Sequence, residues 1–371
     1  MRSLVAGIAV VVTVCLWLGP RSGAEAQPPI RIGASVSQTG AYAALGPNFL
    51  RGYRLCIKHT NEAGGVLGRK LDLLVEDDRS EPATALRAYD KLITQDRVDA
   101  VLGPYSSPIT EAVADVTEKH KRLLVASGAA SSAIFKKGRR FAFMVLPPAE
   151  TFFEGLIDIA ARRGLKTIAL IHEDSLFPRA SAQGALELAR KQGLTTVLTE
   201  AYPRGTTDFG GMLRKVKATS PDVLIVATYD TLAMFRLLKD LDINPKMLGA
   251  TADVATPEFY RTVGPDAEFV YGASQWEPEL VTLRAGGLIP IARQYPGARE
   301  FVEAHQKDFP GAEISYHAAQ AYGGCQVLLE AIRRAGSLHS EKVRDAILGL
   351  DFHTVYGRFK VDRQGVQIGR P

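Results

Sequence analysis

Residues 32–40 read Ile-Gly-Ala-Ser-Val-Ser-Gln-Thr-Gly, so an apolar run ends in a cluster of small and hydroxyl-bearing residues before a helix-like stretch. The same order returns at residues 100–107, 123–131, 223–230 and 247–253. Continuous apolar runs that alternate with helices predict an α/β fold whose parallel strands are buried on both faces. Ligands of such sheets bind beyond the carboxyl ends of the strands, where these hydroxyls collect. No catalytic set accompanies them, so we expect a binding protein rather than an enzyme.

The first 26 residues have the parts of a secretory signal: a basic start at Arg2, an apolar core over residues 4–18 and a small-x-small tripeptide at 24–26. The alternative is an uncleaved membrane anchor, but the core is short for a span, which needs about 20 residues. Cys15 lies inside the apolar core and no small residue precedes it, so we expect no lipid anchor. We expect cleavage before Gln27 and a soluble mature protein in the periplasm.

The length of the chain limits the number of domains, and its net charge limits the classes of partner. Removal of the signal leaves 345 of the 371 residues (371 − 26), which suits two domains better than one. The whole chain carries 45 Lys and Arg against 40 Asp and Glu, a small and dispersed excess. The only dense basic run, residues 136–140, falls between two strand-like segments and is interpreted as a solvated loop. A nucleic-acid surface would need a basic face with stacking aromatic rings, so we expect no nucleic acid among the partners.

The predicted elements form two alternating sets, which are separated by Pro147-Pro148. Ser80 is the expected cap of the second helix. The first set begins with strands at residues 30–37 and 70–77 and helices at 46–62 and 83–95, and two more strand–helix units lead to the segment 141–146. The second set comprises a helix from 150 to 163, strands at 167–172 and 269–273 and a helix at 181–192. After a loop-rich stretch we expect helices at 296–308, 316–335 and 340–350 and an extended tail at 355–361.

Two cysteines remain after cleavage, Cys56 and Cys325, and each falls on the apolar stripe of a predicted helix. An oxidising compartment permits a disulfide. The apolar surroundings favour instead two buried free thiols that behave as small core residues. The seven histidines are scattered without metal-ligand spacing, so we expect neither a metal site nor a cofactor.

Two enzyme classes lack their motifs here. A dinucleotide-dependent enzyme would need Gly-x-Gly-x-x-Gly after the first strand, where residues 33–38 read Gly-Ala-Ser-Val-Ser-Gln. A serine hydrolase of the α/β type would need Gly-x-Ser-x-Gly, and that pentapeptide is absent from the sequence.

Residues 61–70, Asn-Glu-Ala-Gly-Gly-Val-Leu-Gly-Arg-Lys, carry a family resemblance together with residues 32–40. Supporting segments lie at residues 76–78, 103–107, 205–209 and 221–223. In this order, the segments resemble the ABC-transporter periplasmic solute-binding proteins of the branched-chain amino-acid (leucine/isoleucine/valine-binding) type. The resemblance covers essentially the whole mature chain. It implies a periplasmic binding protein fold of type I: two doubly wound parallel-sheet lobes, joined by three crossings, with a ligand cleft between them.

The same resemblance sets the domain boundaries. Residues 27–147 with 277–354 are expected to form the N-terminal lobe, and residues 148–276 with 355–371 the C-terminal lobe. The crossings are expected at Pro147-Pro148, 274–278 and 355–357. Relatives usually continue into another strand beyond the point where this chain stops, which leaves open whether its C-terminus is truncated.

Relatives hold the ligand carboxylate with a serine hydroxyl and backbone amides after the third strand, and Ser107 matches that serine with Ser106 beside it. A helix that starts near Pro108 would present unpaired amides and a partial positive charge to an anion. Alternatively, either serine simply caps the helix. The next strand in relatives supplies a backbone carbonyl and a hydroxyl, matched here by Ala129 and Ser131.

On the other lobe, Tyr229 matches a tyrosine that faces the ligand ammonium group, or else it is packed at the lobe edge. Amino-acid binders pair the ammonium with an acidic residue, for which this sequence offers Asp253. Asp253 could instead cap the helix near Pro257.

The apolar part of the ligand is expected to meet Tyr42, Tyr105, Phe177 and Trp276. Phe177 matches a tyrosine that stacks on the ligand side chain in relatives, and Trp276 lies beside a predicted crossing where it could floor the cleft. These four aromatic residues favour a sizeable apolar or aromatic ligand.

The resemblance therefore implies a monomeric solute-binding component of an ABC importer. It would capture an amino acid or a related carboxylate by hinge closure and deliver it to a membrane permease. A ligand-sensing module that reports to a membrane receptor is the alternative, since it needs the same two-lobe binder. The ligand itself stays open between branched-chain or aromatic amino acids, amides and aromatic acids without an amino group.

Overall fold

The computed structural model describes residues 27–229, 231–281 and 296–369; of residues 252, 253, 257, 280 and 281 only the backbone is described. Within these ranges the chain forms two five-stranded sheets, each flanked by helices, and a two-stranded hairpin. All strand pairs in the two large sheets are parallel. No helix of the described residues is long and apolar enough to cross a bilayer.

The first lobe is built on the sheet with strand order β2-β1-β3-β4-β5. Every residue of the short central strands β3 and β4 is buried, as the continuous apolar runs predict. The strands are β1 (Ile30–Val36), β2 (Leu71–Asp77), β3 (Ala100–Leu102), β4 (Leu124–Ala126) and β5 (Ala142–Met144). The helices within this stretch are α1 (Gly46–Glu62), α2 (Pro82–Thr94) and α3 (Ser107–Lys119).

The second lobe is built on the sheet with strand order β10-β9-β8-β6-β7. Its strands are β6 (Thr167–Glu173), β7 (Thr195–Tyr202), β8 (Val223–Ala227), β9 (Met247–Ala250) and β10 (Val270–Gly272). Its helices are α4 (Glu154–Arg162), α5 (Leu176–Lys191), α6 (Gly210–Thr219), α7 (Thr231–Asp240) and α8 (Pro257–Val263). Helix α5 starts five residues before the predicted position, directly after the end of β6, which brings its first turn to the carboxyl edge of the sheet.

The chain then returns to the first lobe with α9 (Ala298–Asp308), α10 (Tyr316–Ala335) and α11 (Ser340–Leu348). Helix α10 packs along α1 at very short range: a Cβ at Gly52 would lie 2.3 Å from the carbonyl oxygen of Ala318. Only glycine permits this approach of the two backbones.

The prediction of two free thiols is wrong, because Cys56 on α1 and Cys325 on α10 form a disulfide. Both residues are buried, as their apolar stripes predict. The pairing arises from the contact between two helices whose cysteines are 269 positions apart, with 6.3 Å between their Cα atoms. Each stripe by itself carries no information about which helix lies against it.

The expected extended tail is a hairpin of β11 (Phe352–Thr354) and β12 (Gly357–Phe359). Within residues 355–371, which are expected to belong to the second lobe, Gly365 and Gln367 are hydrogen-bonded to residues of the first lobe. The Met144 N–H at the end of β5 donates to the Gly365 carbonyl at 2.8 Å, and the Gln367 amide donates to the Val145 carbonyl at 3.1 Å. These hydrogen bonds hold the segment against β5.

The sequence predicts Ser80 as the cap of α2, but this prediction is wrong: the residue at the N-cap is Glu81. The Ser80 hydroxyl instead donates to the Thr39 carbonyl at 2.7 Å and accepts the Tyr42 N–H at 2.9 Å. It therefore fixes the loop between β1 and α1, and with it the position of Tyr42.

Candidate functional site

Three long helices begin at one cavity, at the carboxyl ends of the strands. Ser107 is the first residue of α3, Phe177 is the second residue of α5, and Tyr316 and His317 are the first two residues of α10. All four line a cavity of about 30 Å³ between the lobes. Each helix start places the positive end of a helix dipole at the cavity, which therefore favours an anion.

The Ser107 hydroxyl is positioned as a hydrogen-bond donor to the cavity. It is 1% exposed, and its Oγ accepts the N–H groups of Ala130 and Ser131, each at 3.2 Å. A hydroxyl has two acceptor lone pairs and one donor. Because both bonds to Oγ use its acceptor capacity, the O–H proton is left to donate to a group in the cavity.

The other residues expected at the carboxylate site lie around Ser107. Ser106 occupies the N-cap position of α3 with φ of 128°, a left-handed value that strains a residue with a side chain. Among the described residues the buried Ser131 hydroxyl has no hydrogen-bond partner, and the buried Ser106 hydroxyl lies within hydrogen-bonding reach of the Tyr42 hydroxyl. Ala129 is fully buried and does not line the cavity; its neighbours Gly128 and Ala130 do. In an extended segment alternate residues face the same side, which accounts for this offset.

Aromatic rings from both lobes enclose the cavity. Tyr105 from the first lobe and Tyr229 from the second lie with their ring centroids 6.3 Å apart, and Phe177 lies 5.5 Å from Tyr229. The missed Phe152 contacts Phe177 edge-on at 5.2 Å and completes this wall. Burial raises the pKa of Tyr229 well above its usual range, while the Ser107 N–H donates to its hydroxyl and acts in the opposite direction. Tyr229 therefore joins the second lobe to the start of α3.

Tyr42 closes the cavity from outside. Its ring lies 5.2 Å from the rings of both Tyr105 and Tyr229, and the guanidinium carbon of Arg204 lies 5.2 Å above it. Tyr42 lines not the inner cavity but an outer cleft of about 940 Å³, which Tyr105 and Tyr229 also border. A cation over an aromatic ring is attracted by its quadrupole, so Arg204 holds the second lobe against the first at this point.

Four of the ligand residues expected from the sequence line the cavity: Tyr105, Ser107, Phe177 and Tyr229. Five others are described but do not line it: Tyr42, Ser106, Ala129, Ser131 and Trp276. Trp276 is 1% exposed and packs edge-on against Phe301 at 5.8 Å, while its neighbour Gln275 lines the cavity. Asp253 lies in a short 3₁₀ helix, residues Ala252–Ala255, and its side chain is outside the described part of the structure.

The sequence reasoning missed His317, Gln320 and Gln275, which line the cavity. His317 is fully buried and Gln320 is 1% exposed. Burial lowers the pKa of His317 to about 3, so its imidazole is neutral at neutral pH. One signal was available: the first five residues of α10 place two polar side chains, His317 and Gln320, three positions apart and so on one face of the helix. The histidines were weighed only as metal ligands.

In the described ranges, no group of three or more His, Cys, Asp or Glu residues is arranged to hold a metal ion. The cavity lining contributed by the described residues consists of hydroxyl, amide, imidazole, aromatic and aliphatic groups without a formal charge.

Two α/β lobes with an enclosed polar and aromatic cavity at the carboxyl ends of their sheets define a two-lobe ligand-binding protein. The family model described as periplasmic binding protein matches residues 29–371, and the chain belongs to that family.

Relatives span nearly the same length. The chain is similar to Leu/Ile/Val-binding protein homolog 7 of Brucella melitensis, with 26% identity over 341 residues that cover 88% of this chain and 83% of the relative. It resembles the substrate-binding protein of a branched-chain amino-acid transporter from Streptococcus pneumoniae, solved with isoleucine (TM-score 0.77, 23% identity, 92% of this chain and 94% of that one). It also resembles an ABC-transporter solute-binding protein from Rhodopseudomonas palustris, solved with 3,4-dihydroxybenzoic acid (TM-score 0.76, 20% identity, 91% and 90%). The two structural likenesses show the shared fold.

Proposed function

We propose that this protein is the extracytoplasmic solute-binding component of an ABC importer. It captures an amino acid or a related small apolar or aromatic carboxylate between its lobes and presents the closed form to a membrane permease. The single observation that carries the proposal is the Ser107 hydroxyl, which stands as a donor at the start of α3 inside an aromatic cavity between two lobes.

The carboxylate end of the ligand is bound at the meeting point of the three helix starts. An anion there gains from the partial charges of α3, α5 and α10 and from a charge-assisted hydrogen bond to Ser107. Such bonds contribute about 1.5–3 kcal/mol each. A cation at the same position would be repelled by the three positive helix ends.

The apolar part of the ligand replaces contacts among the rings of Tyr105, Phe177 and Tyr229. The cavity of about 30 Å³ has room for water but not for such a ligand, since a cavity that binds benzene has about 150 Å³. The rings and lobes therefore separate on entry and close again on the ligand. A ligand that touches both lobes stabilises the closed state by its differential affinity for that state.

Two ligand classes fit this chemistry, and both occur among the relatives. One relative is named for Leu/Ile/Val and another was solved with isoleucine, whereas a third was solved with 3,4-dihydroxybenzoic acid. Aromatic acids without an amino group are favoured by the uncharged lining of the described residues. Amino acids require an acidic partner for the ammonium group, and Asp253 is the residue proposed for that role.

A thermal-shift screen of the ligand-stripped mature protein tests the proposal. The panel sets leucine, isoleucine, valine, phenylalanine and tyrosine beside the matching acids that lack the amino group. A ligand at 100 times its dissociation constant stabilises the protein by about 2.7 kcal/mol, which is readily measured. Shifts with the amino acids alone would support Asp253 as the ammonium partner, equal shifts with the deaminated acids would remove that role, and no shift with any carboxylate would refute the proposal.

The signal peptide, the periplasmic location and the monomeric state belong to the same proposal. Residues 1–26 lie outside the described part of the chain. Mass spectrometry of the exported protein should find Gln27 as the first residue, and light scattering should give the mass of one chain.

A further inference from the structure

A second wall of the cavity carries polar atoms that no described residue satisfies. Both ring nitrogens of His317, the Oε1 of Gln320 and the Nε2 of Gln275 are buried and have no hydrogen-bond partner within the described ranges. All three residues line the same cavity as Ser107. A buried polar atom without a partner costs about 1–3 kcal/mol. Three such side chains therefore destabilise the protein unless a bound ligand supplies the missing hydrogen bonds.

The position of His317 is fixed by the rings around it. Tyr316 stacks on it with 3.9 Å between centroids and 29° between planes, and Tyr105 and Phe49 lie at 5.4 and 6.0 Å. Tyr105 comes two residues before Ser107 in the chain, so the polar wall and the carboxylate site adjoin. The imidazole is therefore held in place beside the ligand and cannot turn towards solvent.

The atoms of this wall have a defined chemistry. A neutral imidazole offers one donor and one acceptor, Gln320 Oε1 accepts, and Gln275 Nε2 donates, while Gln275 Oε1 is used by the Tyr356 hydroxyl. Donors and acceptors are thus balanced, and none of the three groups is charged. A second carboxylate or an ammonium group would remain uncompensated here, whereas a group that both donates and accepts would be satisfied.

We propose that His317, Gln320 and Gln275 bind a second, neutral polar group of the ligand, so that the natural ligand is a carboxylate with a hydroxyl or carboxamide at its other end. This inference rests on the proposed function, because it presumes that the carboxylate is bound at Ser107. It makes His317 a specificity-determining residue of this chain.

Isothermal titration with matched probes tests the inference. The pairs are benzoate against 3- and 4-hydroxybenzoate and 4-carbamoylbenzoate, and phenylalanine against tyrosine. Wild-type protein should bind at least one polar member about 10-fold or more tighter than its apolar twin, because sites that hydrogen-bond a ligand hydroxyl reject analogues that lack it. Apolar twins that bind equally well or better in every pair would overturn the inference while leaving the proposed function intact.

Two variants assign the preference to residues. His317→Leu should remove the preference by weakening the polar probe about 10-fold and leaving the apolar twin within about threefold. Circular dichroism shows whether the first variant folds. If it does not, Gln320→Leu provides an independent test of the preference for the polar probe. Equal weakening of both twins would show a merely structural role and overturn the inference. If neither twin of any pair binds and every other carboxylate also fails, the proposed function itself is refuted together with this inference.

Discussion

Replacement of Ser107 by alanine separates its two roles, which are to hold the local backbone and to bind the ligand. The Oγ accepts the N–H groups of Ala130 and Ser131 at 3.2 Å each, at the long end of the hydrogen-bond range. The substitution leaves both buried N–H groups without this acceptor, at about 1 kcal/mol each, so Ser107→Ala should lower the free energy of unfolding by about 2 kcal/mol. It also removes the donor to the ligand carboxylate, worth about 1.5–3 kcal/mol, so affinity should fall about 10- to 150-fold.

The matched control is Ser106→Ala, one residue earlier. The Ser106 hydroxyl is equally buried but accepts no N–H group in the described ranges, so this variant should keep the stability that Ser107→Ala loses. Urea unfolding measures the first role, and titration calorimetry with the best carboxylate of the screen measures the second. Wild-type affinity in Ser107→Ala, or the same loss of stability in both variants, would refute the reasoning.

Three further predictions concern the disulfide, the buried His317 and the contact of Arg204 with Tyr42. Replacement of Cys56 and Cys325 by alanine should lower the free energy of unfolding by about 2–5 kcal/mol in urea, with ligand affinity unchanged, because the disulfide joins two helices of one lobe. Burial lowers the pKa of His317 to about 3, below the value of about 6.5 in an unfolded chain, so protons bind preferentially to the unfolded state as the pH falls. The contribution of His317 should therefore lower the free energy of unfolding by about 1.6 kcal/mol between pH 6.5 and 5. Arg204→Ala should speed ligand dissociation about two- to fivefold in stopped-flow experiments, because it removes the guanidinium from the ring of Tyr42.

Each of these predictions has an outcome that contradicts it. Two titratable thiols in the native wild-type protein would contradict the disulfide. An unchanged slope of stability against pH in His317→Gln would remove His317 as the group that titrates. Arg162→Ala is the control for Arg204, since Arg162 is an exposed arginine of the same lobe with an ion pair to Asp158, and it should leave the dissociation rate unchanged.

The pattern of apolar runs followed by small polar clusters predicts most of the fold. Parallel strands buried on both faces have this pattern, and few other structures do. It also points to the carboxyl ends of the strands, and Tyr105, Ser107, Phe177 and Tyr229 do line one cavity. Whether they bind a ligand stays a prediction.

The rest of the site depends on contacts between segments that are remote in sequence. His317 reaches the cavity only because α10 returns to the first lobe and packs along α1, and the disulfide depends on the same packing. Trp276 shows the opposite error: an aromatic residue next to a crossing packs into the core against Phe301, while its polar neighbour faces the cavity. Burial patterns report that a residue is inside but not which segment it meets there.

Two kinds of residue should therefore change affinity by different routes. Tyr42 contacts Tyr229 and Arg204 across the cleft but lies outside the inner cavity, so it acts on the balance between open and closed lobes. A ring pair contributes about 0.5–1.5 kcal/mol, which is a sizeable part of the few kcal/mol that separate two such states. Tyr42→Leu should thus weaken every ligand by the same factor, whereas substitutions at Ser107 or His317 should weaken ligands selectively, according to the group that each one binds. Titration of the same probe pairs with Tyr42→Leu distinguishes the routes, and a change in its preference between twins would show that Tyr42 contacts the ligand directly.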